Sequence, residues 1–311
     1  MAVSPGYDQL QPNFVLGTGQ WVSSVAEQMV GADIDKVNQL RDHFPFFPIA
    51  HGNKIIVPRV AGLASAKFTD RQAPQSDDSL TKLVDVPEEV ELVCIEGSVN
   101  LSDYALDVQS YDIDQLDLQI EFKKIAIRVA FWQQFFSSDL PNGFKGLPDL
   151  VASSQVNELN QSIELSDLDA LVAEVTEADA EMDSKVIVMN SSTFKYYAKL
   201  VRSAETAMTY TTYNGRRYAS HNGVPILLCD YIREQGRCND RGVDVWCMTL
   251  GMEDNGLFGI IPEDIGDGGL VIEQAQGGAD TSSMIYRLRW YCSVILGQFR
   301  GLAGLTNVHV S

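Results

Sequence analysis

The chain of 311 residues has little positive charge relative to its size. It contains 23 lysines and arginines against 42 aspartates and glutamates, which gives a formal net charge of −19 and a pI near 4.5. A domain that grips nucleic acid neutralises phosphates with clustered basic side chains, so this balance disfavours that class of protein. An acidic surface favours solubility and repels polyanions weakly.

Long apolar runs are also missing. No stretch approaches the roughly 18 consecutive apolar residues of a membrane-spanning helix. The opening residues, MAVSPGYDQ, have neither the basic flank nor the apolar stretch of a signal peptide. The contents of 45% apolar and 21% charged residues are those of a globular protein. We therefore expect a soluble, cytosolic chain without a membrane partner, with two domains or with one core and large excursions.

Cysteine is scarce and shows no pairing pattern. The five cysteines are irregularly spaced, and no two of them form a C-x-x-C pair. Cys94, Cys247 and Cys292 lie in apolar strand-like runs, where a buried thiol acts as a small hydrophobe. With Cys229 and Cys238, they are expected to be structural thiols rather than disulfide partners or metal ligands.

Signatures of catalysis and of cofactor binding are missing as well. The chain has no phosphate-binding G-x-x-x-x-G-K-[ST], no G-x-S-x-G and no zinc-binding H-E-x-x-H. Its four histidines have no evident serine or cysteine partner, so a catalytic triad would require tertiary proximity that the sequence does not reveal. We expect no enzymatic activity, no cofactor and no metal site. A binding or structural protein is the more natural class.

Neighbouring acids could in principle supply a general acid and a general base, which need different environments. They occur in polar stretches where solvation keeps both carboxylates ionised: Glu88 and Glu89, Asp77 and Asp78, Asp112 and Asp114. We therefore interpret these pairs as solvated surface acids.

The longest helical pattern runs from Asp112 to Ser137. Six apolar residues form one continuous stripe on it: Leu118, Phe122, Ile125, Val129, Trp132 and Phe136. Acids precede the lysines, the order that the helix dipole favours. The stripe predicts either an ordinary core helix or a spine across an elongated body. The heptad-like spacing is too short for a coiled coil.

The segments before and after this helix include both helix-like and strand-like apolar patterns. The first twenty residues resemble an extended arm, and a helix is predicted from Trp21 to Phe44. A second helix is predicted from Ser166, where S-D-L-D has the spacing of a capping box. A buried strand is predicted over Lys185–Asn190, followed by a helix capped by Asn190 or Ser191.

Strands dominate the remainder. A hairpin is predicted to turn at Asn222–Gly223. Further strands are predicted at DVWCMTL, GLFGII and GLVIEQA, and a long one within Ser283–Phe299. The order of elements does not alternate as in a doubly wound domain, so residues 151–280 are expected to form a compact domain inserted before the final strand.

A polar segment separates two β-like runs near the start of the chain. KIIVPRV (Lys54–Val60) and LVDVPEEVELVCIEGSV (Leu83–Val99) flank KFTDRQAPQSDDSLTK (Lys67–Lys82). Two long arms with a polar tip bury little of their own surface, so we expect the tip to contact another subunit. The charged residues predicted to make that contact are Lys67, Asp70, Arg71, Asp77, Asp78 and Lys82.

Several strings resemble, in order, the major capsid proteins of tailed bacteriophages, whose Hong Kong 97-type fold is shared with encapsulins. They are GFKGLPDLV, VIVMNSSTFKYYAKLV with the hairpin NGVPILLCDYI, and VWCMTLGMEDNGLFGI. The resemblance implies an α+β fold with an N-terminal arm and first helix (1–52) and an extended β-hairpin E-loop (53–107). It further implies a peripheral domain built from a long spine helix (108–150) and a closing long strand (281–311), and an axial α/β domain (151–280).

This resemblance also implies a function. The chain would be a non-catalytic major capsid protein that self-assembles through pentamers and hexamers into the icosahedral head shell of a tailed phage. It would enclose double-stranded DNA without tight sequence-specific binding, and its location would be the virion, assembled in the host cytoplasm. Implied partners are further copies of the chain, a separate scaffolding protein, a portal and, in some relatives, cement proteins.

Two features qualify what the resemblance carries over. No long charged helical segment precedes the arm in the sequence given, whereas some relatives carry a fused scaffolding region there. Some relatives cross-link through an E-loop lysine and a distant asparagine. Lys67 and Lys82 flank the tip, but the other partners of that reaction cannot be aligned.

Two alternatives remain open. One is an encapsulin-type nanocompartment shell protein that encloses cargo enzymes. Encapsulins tend to have an N-terminal helix in place of the extended arm. The other is a soluble hydrolase or ligand-binding protein, which would need a site assembled only in three dimensions.

Overall fold

The computed structural model describes residues 36–50, 52, 54–57, 60–62, 82–83, 88–102, 115–175, 184–205, 207–232, 234–235, 242–253, 255–263, 265, 268–276 and 283–309. The helices are α1 (Gln115–Ser137), α2 (Leu147–Leu150), α3 (Leu165–Glu174) and α4 (Ser191–Ser203). Short 3-10 turns lie at Leu40–Asp42, Ser153–Gln155 and Phe299–Gly301. None of the helices in these ranges is long and apolar enough to span a membrane.

Seventeen strands complete the described elements. They are β1 (Phe46–Ile49), β2 (Lys54–Val57), β3 (Val60–Gly62), β4 (Lys82–Leu83), β5 (Glu88–Glu91), β6 (Val93–Ser102), β7 (Val156–Glu158), β8 (Lys185–Met189), β9 (Thr209–Tyr213), β10 (Arg216–His221), β11 (Val224–Leu228), β12 (Glu234–Gln235), β13 (Gly242–Thr249), β14 (Leu257–Pro262), β15 (Leu270–Gln276), β16 (Ser283–Leu296) and β17 (Leu302–His309).

An eight-stranded sheet has the order β7-β17-β13-β8-β11-β10-β9, with β12 paired to β13. The central strand β8 is parallel to β11 and antiparallel to β13. All five residues of β8 are buried, as expected for the apolar run VIVM, and the first of them, Lys185, is buried with it. Helices α3 and α4 contribute Leu171 and Tyr197 to an apolar cluster that this sheet also lines.

A five-stranded sheet has β16 at its centre. This strand of 14 residues pairs with β6 from Ser283↔Ser102 to Cys292↔Val93. It also pairs with β15, and its last residues pair with β14, which in turn is parallel to β1. The alternating sequence of Ser283–Phe299 therefore predicted the long strand correctly.

One large apolar core joins the two sheets and the long helix α1. It contains Trp290 of β16 and Trp246 of β13 together with Phe131 of the helix. At the end of α1 the buried side chain of Gln134 donates to the carbonyl of Phe144, and its Oε1 accepts from the amide of Leu140 at 2.8 Å. One polar side chain thus satisfies the backbone where the chain leaves the helix.

Two local predictions in the eight-stranded unit are confirmed. The Oδ1 of Asn190 accepts a hydrogen bond of 2.8 Å from the amide of Thr193, so this residue caps α4. The β10–β11 hairpin turns at Asn222 and Gly223, which have φ values of 50° and 87°. Two successive left-handed residues are the requirement of a type I′ turn, and Asn-Gly meets it with little strain.

The predicted start of α3 is wrong by one residue, and its predicted cap is wrong as well. The helix begins at Leu165, and Glu164 forms the capping box with Asp167, whose Oδ2 accepts from the amide of Glu164 at 2.8 Å. The box that forms therefore lies two residues before the predicted one. Asp169, the acid of the predicted box, instead accepts from the Nε2 of His221 at 2.8 Å.

The predicted helix Trp21–Phe44 does not extend to its end. Residues 21–35 lie outside the described ranges, whereas residues 36–44 contain a bridge from Asn38 to Cys229 and a 3-10 turn. The amide of Gln39 donates to the carbonyl of Leu228 at 2.8 Å. Since the end of β11 supplies these backbone partners, the apolar spacing of this segment did not produce a helix.

Sheet membership does not follow the predicted division at residues 151–280 and 281–311. Strands β14 and β15 lie in the five-stranded sheet with β16, whereas β17 lies beside β13 in the eight-stranded sheet. The reason is strand pairing between distant residues, such as Trp246 with Gly304. Periodicity identifies a strand but does not identify its partner.

The expected burial of cysteine is wrong at one position. Cys247 and Cys292 are buried, and so is Cys229, but Cys94 is exposed. In β6 the exposed positions alternate, and Cys94 shares the solvent face with Glu96 and Ser98. The polar neighbours two and four residues along the strand were the signal for this. Cys238 lies outside the described residues.

Candidate assembly surface

The β-like runs flanking the polar segment form an antiparallel hairpin. Strand β2 pairs with β5 from Lys54↔Glu91 to Val57↔Glu88, and β3 pairs with β4 from Val60↔Leu83 to Gly62↔Lys82. We call these four strands the hairpin arms. The pair β2 and β5 forms one two-stranded sheet and the pair β3 and β4 forms another, both separate from the two large sheets. The arms are therefore a paired excursion that belongs to neither of the large sheets.

The predicted contact residues at the tip fall mostly outside the described ranges. Lys67, Asp70, Arg71, Asp77 and Asp78 all lie between residues 63 and 81. Lys82 is described only as the first residue of β4. That these residues contact another subunit stays a prediction.

The base of the hairpin arms is charged and exposed. Lys54 on β2 lies between two glutamates of β5, with its Nζ 3.4 Å from Glu89 Oε2 and in contact with Glu91 Oε1. Hydrogen bonding to Glu91 and its charge, followed by the same effects of Glu89, raise the pKa of Lys54. The ammonium is in solvent, so these pairs favour the register of the arms more than they add to stability.

A narrow apolar row holds the arms on the body. Ile55 and Val90, which face each other across β2 and β5, pack with Leu92 against the buried Phe258 and Ile260 of β14. The next residue on β2, Ile56, points away from this row and is 60% exposed. Single exposed apolar residues are common on protein surfaces, so Ile56 alone does not indicate an interface.

Arg289 forms ion pairs within the five-stranded sheet, one of them with β6, the strand that follows the arms. Arg289 on β16 donates from Nε to Glu96 Oε2 on β6 at 3.3 Å and from NH1 to Glu273 Oε2 on β15 at 3.0 Å. Arg289 thus links the strands on both sides of its own. The strand that follows the arms is therefore an integral part of the sheet, unlike the arms themselves.

The predicted stripe of α1 is only partly buried. Ile125, Trp132 and Phe136 are buried, whereas Leu118, Phe122 and Val129 are partly exposed. The stripe omits residues that the structure buries equally well, namely Ile127, Phe131 and Phe135. The second half of the helix packs on more than one side, and the dense aromatic run AFWQQFF was the sequence signal for this.

One cluster has the residue types of a catalytic relay. The Nε2 of His221 contacts Asp169 Oδ1 at 2.8 Å, and its Nδ1 lies 3.3 Å from the hydroxyl of Tyr197. A cleft of about 270 Å³ is lined in part by these residues. Burial, and secondarily the charge of Asp169, raise the pKa of Tyr197, so its phenol keeps the proton and is a poor nucleophile.

This cluster is therefore best explained as a structural link. It joins α3 through Asp169, α4 through Tyr197 and the β10–β11 turn through His221. An acid, a histidine and a hydroxyl do lie close together here, as a triad requires. The hydroxyl is the phenol of Tyr197, however, and not that of a serine. Within the described ranges, no three histidine, cysteine or acidic side chains converge closely enough to hold a metal ion.

No family model and no curated protein matches this chain. Several solved structures do match its fold. A chain of the holo-SrpI encapsulin complex from Synechococcus elongatus PCC 7942 aligns with a TM-score of 0.72 at 18% identity, covering 93% of this chain and 96% of that one. The capsid of a native GTA particle aligns at 0.60 and 14% identity, covering 87% and 90%.

A structure described as Microbacterium phage Oxtober96 aligns with a TM-score of 0.56 at 15% identity, covering 87% of this chain and 91% of that one. The three alignments extend over most of both chains, so the likeness is one of whole fold and not of a shared fragment. At these identities the likeness concerns the fold alone.

Proposed function

Because this chain has the Hong Kong 97-type capsid fold, as its sequence predicted, we propose that it is a structural shell protein that self-assembles into a closed icosahedral particle. The hairpin arms carry this proposal. They leave a body that already has its own core, and the described side chains of β2 and β5 pack on that body through an apolar row of partly buried residues. An excursion that buries so little of its own surface is stabilised when another subunit covers it.

Each part of the fold then has a role in assembly. The hairpin arms and the tip between them are the E-loop, which contacts a neighbouring subunit. Helix α1 is the spine helix, and together with β16 it forms the peripheral domain. The eight-stranded unit is the axial domain, which packs around the axes of pentamers and hexamers. The resemblance further implies that the first twenty residues, which lie outside the described ranges, are an N-terminal arm on adjacent subunits.

We further propose that the particle is the head of a tailed double-stranded DNA bacteriophage. The net charge of −19 supports this, because an acidic inner wall repels DNA mildly and leaves it free to be packed and ejected. A separate scaffolding protein, a portal and cement proteins are the partners this role requires or permits. The protein would reside in the virion after assembly in the host cytoplasm.

An encapsulin-type compartment is the second candidate, and one observation favours it. The TM-score with the SrpI encapsulin is 0.72, against 0.60 for the GTA capsid. In this role the shell would enclose cargo enzymes instead of DNA. Both candidates share the shell, and neither requires catalysis by this chain.

Negative-stain electron microscopy of the purified full chain tests the shell. Closed or partly closed particles are expected, and a homogeneous monomer or dimer of 34.3 kDa subunits under all assembly conditions would overturn the proposal. Particles isolated from the native host then separate the two candidates. Long double-stranded DNA inside them indicates a phage head, and a co-purifying enzyme without DNA indicates an encapsulin.

A further inference from the structure

Residues 36–44 form a strap between the end of β11 and the core. The amide of Gln39 donates to the carbonyl of Leu228 at 2.8 Å, and the amide of Asp230 donates to the carbonyl of Val37 at 2.8 Å. After the strap, Phe44 enters the aromatic core beside Trp132 and Phe135. The strap therefore fixes the place where the preceding residues join the body.

His43 fastens this strap to the β9–β10 hairpin. The residue is 4% exposed, its Nε2 lies 2.7 Å from the hydroxyl of Tyr218, and its Nδ1 lies 3.1 Å from the Nδ2 of Asn214. The nitrogen of an amide can only donate, so with the Asn214 amide in this orientation Nδ1 accepts and carries no proton. The proton of the neutral ring is then on Nε2, where the hydroxyl of Tyr218 accepts it.

A second proton would disrupt this arrangement. It would reside on Nδ1, directly facing the amide group of Asn214, so two donors would oppose each other. Asn214 is held by its turn, in which it and Gly215 have φ values of 46° and 77°. Rotation of the amide would present its Oδ1 to Nδ1 and keep the contact, whereas an amide that stays in place forces the hairpin to move away from the strap.

The charged groups around His43 have opposite effects on its pKa. Asp42 and Arg216 pair with each other beside the ring, and the rings of Tyr213 and Tyr218 pack at 4.9 and 5.4 Å. Burial lowers the pKa of His43 below its ordinary 6.5, Asp42 raises it, and Arg216 lowers it, with burial the largest effect. The neutral ring is therefore the form that the folded structure favours.

We propose that His43 is a proton-sensitive latch, which holds the strap on the β9–β10 hairpin when neutral and releases it when protonated. The trigger is a fall in pH through the range where a free imidazole takes up a proton. The released element is the strap, and with it the point at which the leading residues leave the body. The device belongs to the single chain and does not require shell formation.

His221 shows why this behaviour is particular to His43. Its Nε2 faces the carboxylate of Asp169 at 2.8 Å, and its Nδ1 faces the hydroxyl of Tyr197 at 3.3 Å. A carboxylate accepts from an imidazolium, and a hydroxyl can rotate to accept as well. Both neighbours therefore tolerate the protonated ring, which Asn214 in its observed orientation does not.

Hydrogen–deuterium exchange of the full chain between pH 8 and pH 5.5, corrected for intrinsic rates, measures the latch directly. Peptides covering residues 36–44 and 209–221 are expected to exchange up to about tenfold faster at the lower pH, since the open state binds a proton with a pKa of about 6.5. Peptides from β8 serve as the internal reference. Light scattering verifies that the assembly state is the same at both pH values.

Asn214→Asp gives the sharpest test, because Asp-Gly suits the same type I′ turn and its carboxylate accepts from a protonated Nδ1. In this variant acidification to pH 5.5 should no longer accelerate exchange of the strap. His43→Gln should also lose the response, whereas His309→Gln, on β17, should keep it. The proposal is overturned if the wild-type strap shows no pH response, or if the response persists in Asn214→Asp.

Discussion

The Nζ of Lys185 donates a hydrogen bond of 2.8 Å to the carbonyl oxygen of Val175. A second hydrogen bond, of 3.2 Å, goes from the same atom to the carbonyl of Val172. These carbonyls lie at the C-terminal end of α3, where helix acceptors lack partners and the dipole is negative. Although Lys185 is 6% exposed, its charge is thus placed where a cation is favourable.

Replacing Lys185 with methionine should destabilise the chain by about 1–3 kcal/mol, because buried carbonyls would lose their donor while the apolar stem is retained. The midpoint of urea unfolding measures the change. Lys195→Met, at an exposed position of α4, is the matched control and should leave the midpoint almost unchanged. Equal midpoints for the two variants would show that the hydrogen bonds to α3 contribute little.

Trp132→Ala should cost roughly 3–5 kcal/mol of unfolding free energy, because a large side chain leaves a packed core. Trp132 is 3% exposed, and its ring lies 5.1 Å from that of Phe131 and 5.9 Å from that of Phe44. The adjacent exposed Gln133 provides the control, as Gln133→Ala. A Trp132→Ala chain as stable as this control would mean that the indole does not lie in the core.

Shortening the tip between Ala66 and Leu80 to a brief glycine–serine turn should leave the subunit folded and impair shell formation. The paired arms from Lys54↔Glu91 to Gly62↔Lys82 are retained, and so is the core beneath them. Folding is measured by the urea midpoint, and assembly by electron microscopy and sedimentation.

A variant with the same tip replaced by glycine and serine at full length is the control for this deletion. It separates the loss of reach from the loss of the charged side chains. If the shortened chain forms normal particles, the excursion is not an assembly element. The proposal that the chain forms a shell would still hold.

Alkylation by iodoacetamide near pH 8 should modify Cys94 at least about tenfold faster than Cys229 or Cys292, because the thiolate is the reactive form and must be accessible. Burial raises the pKa of all three thiols, and it does so far more strongly for Cys229 and Cys292 than for the exposed Cys94. Peptide mass spectrometry reads the sites, and the difference should vanish in urea. Equal rates in the native chain would contradict the described burial.

The sequence predicted those elements that depend on residues close together along the chain. The Asn-Gly turn at Asn222 and the cap at Asn190 were predictable because each depends on the conformational preference of one or two residues. The long helix was predictable because its apolar repeat extends over many turns. The solvent face of Cys94 could have been read from the alternation in β6, since the pattern has a period of two.

The candidate surface was predictable only in outline. The polar segment and its flanking β-like runs indicated an excursion, the family resemblance implied a β-hairpin, and the arms do pair. The sequence did not reveal the clamp of Lys54 by Glu89 and Glu91, since they are more than thirty residues apart along the chain. His43 was equally hidden, because Tyr218 and Asn214 reach it from a distant hairpin.

The sequence by itself determined the type of most elements, the existence of the excursion and the resemblance that identified the fold, because all of these depend on neighbours along the chain. Only the tertiary structure decided that β17 pairs with β13, that Asp169 serves His221 instead of a helix cap, and that residues 36–44 form a strap instead of a helix. In each case the hydrogen bonds join backbone or side-chain groups that are far apart in sequence. The outcome of that competition is fixed only when the chain is folded.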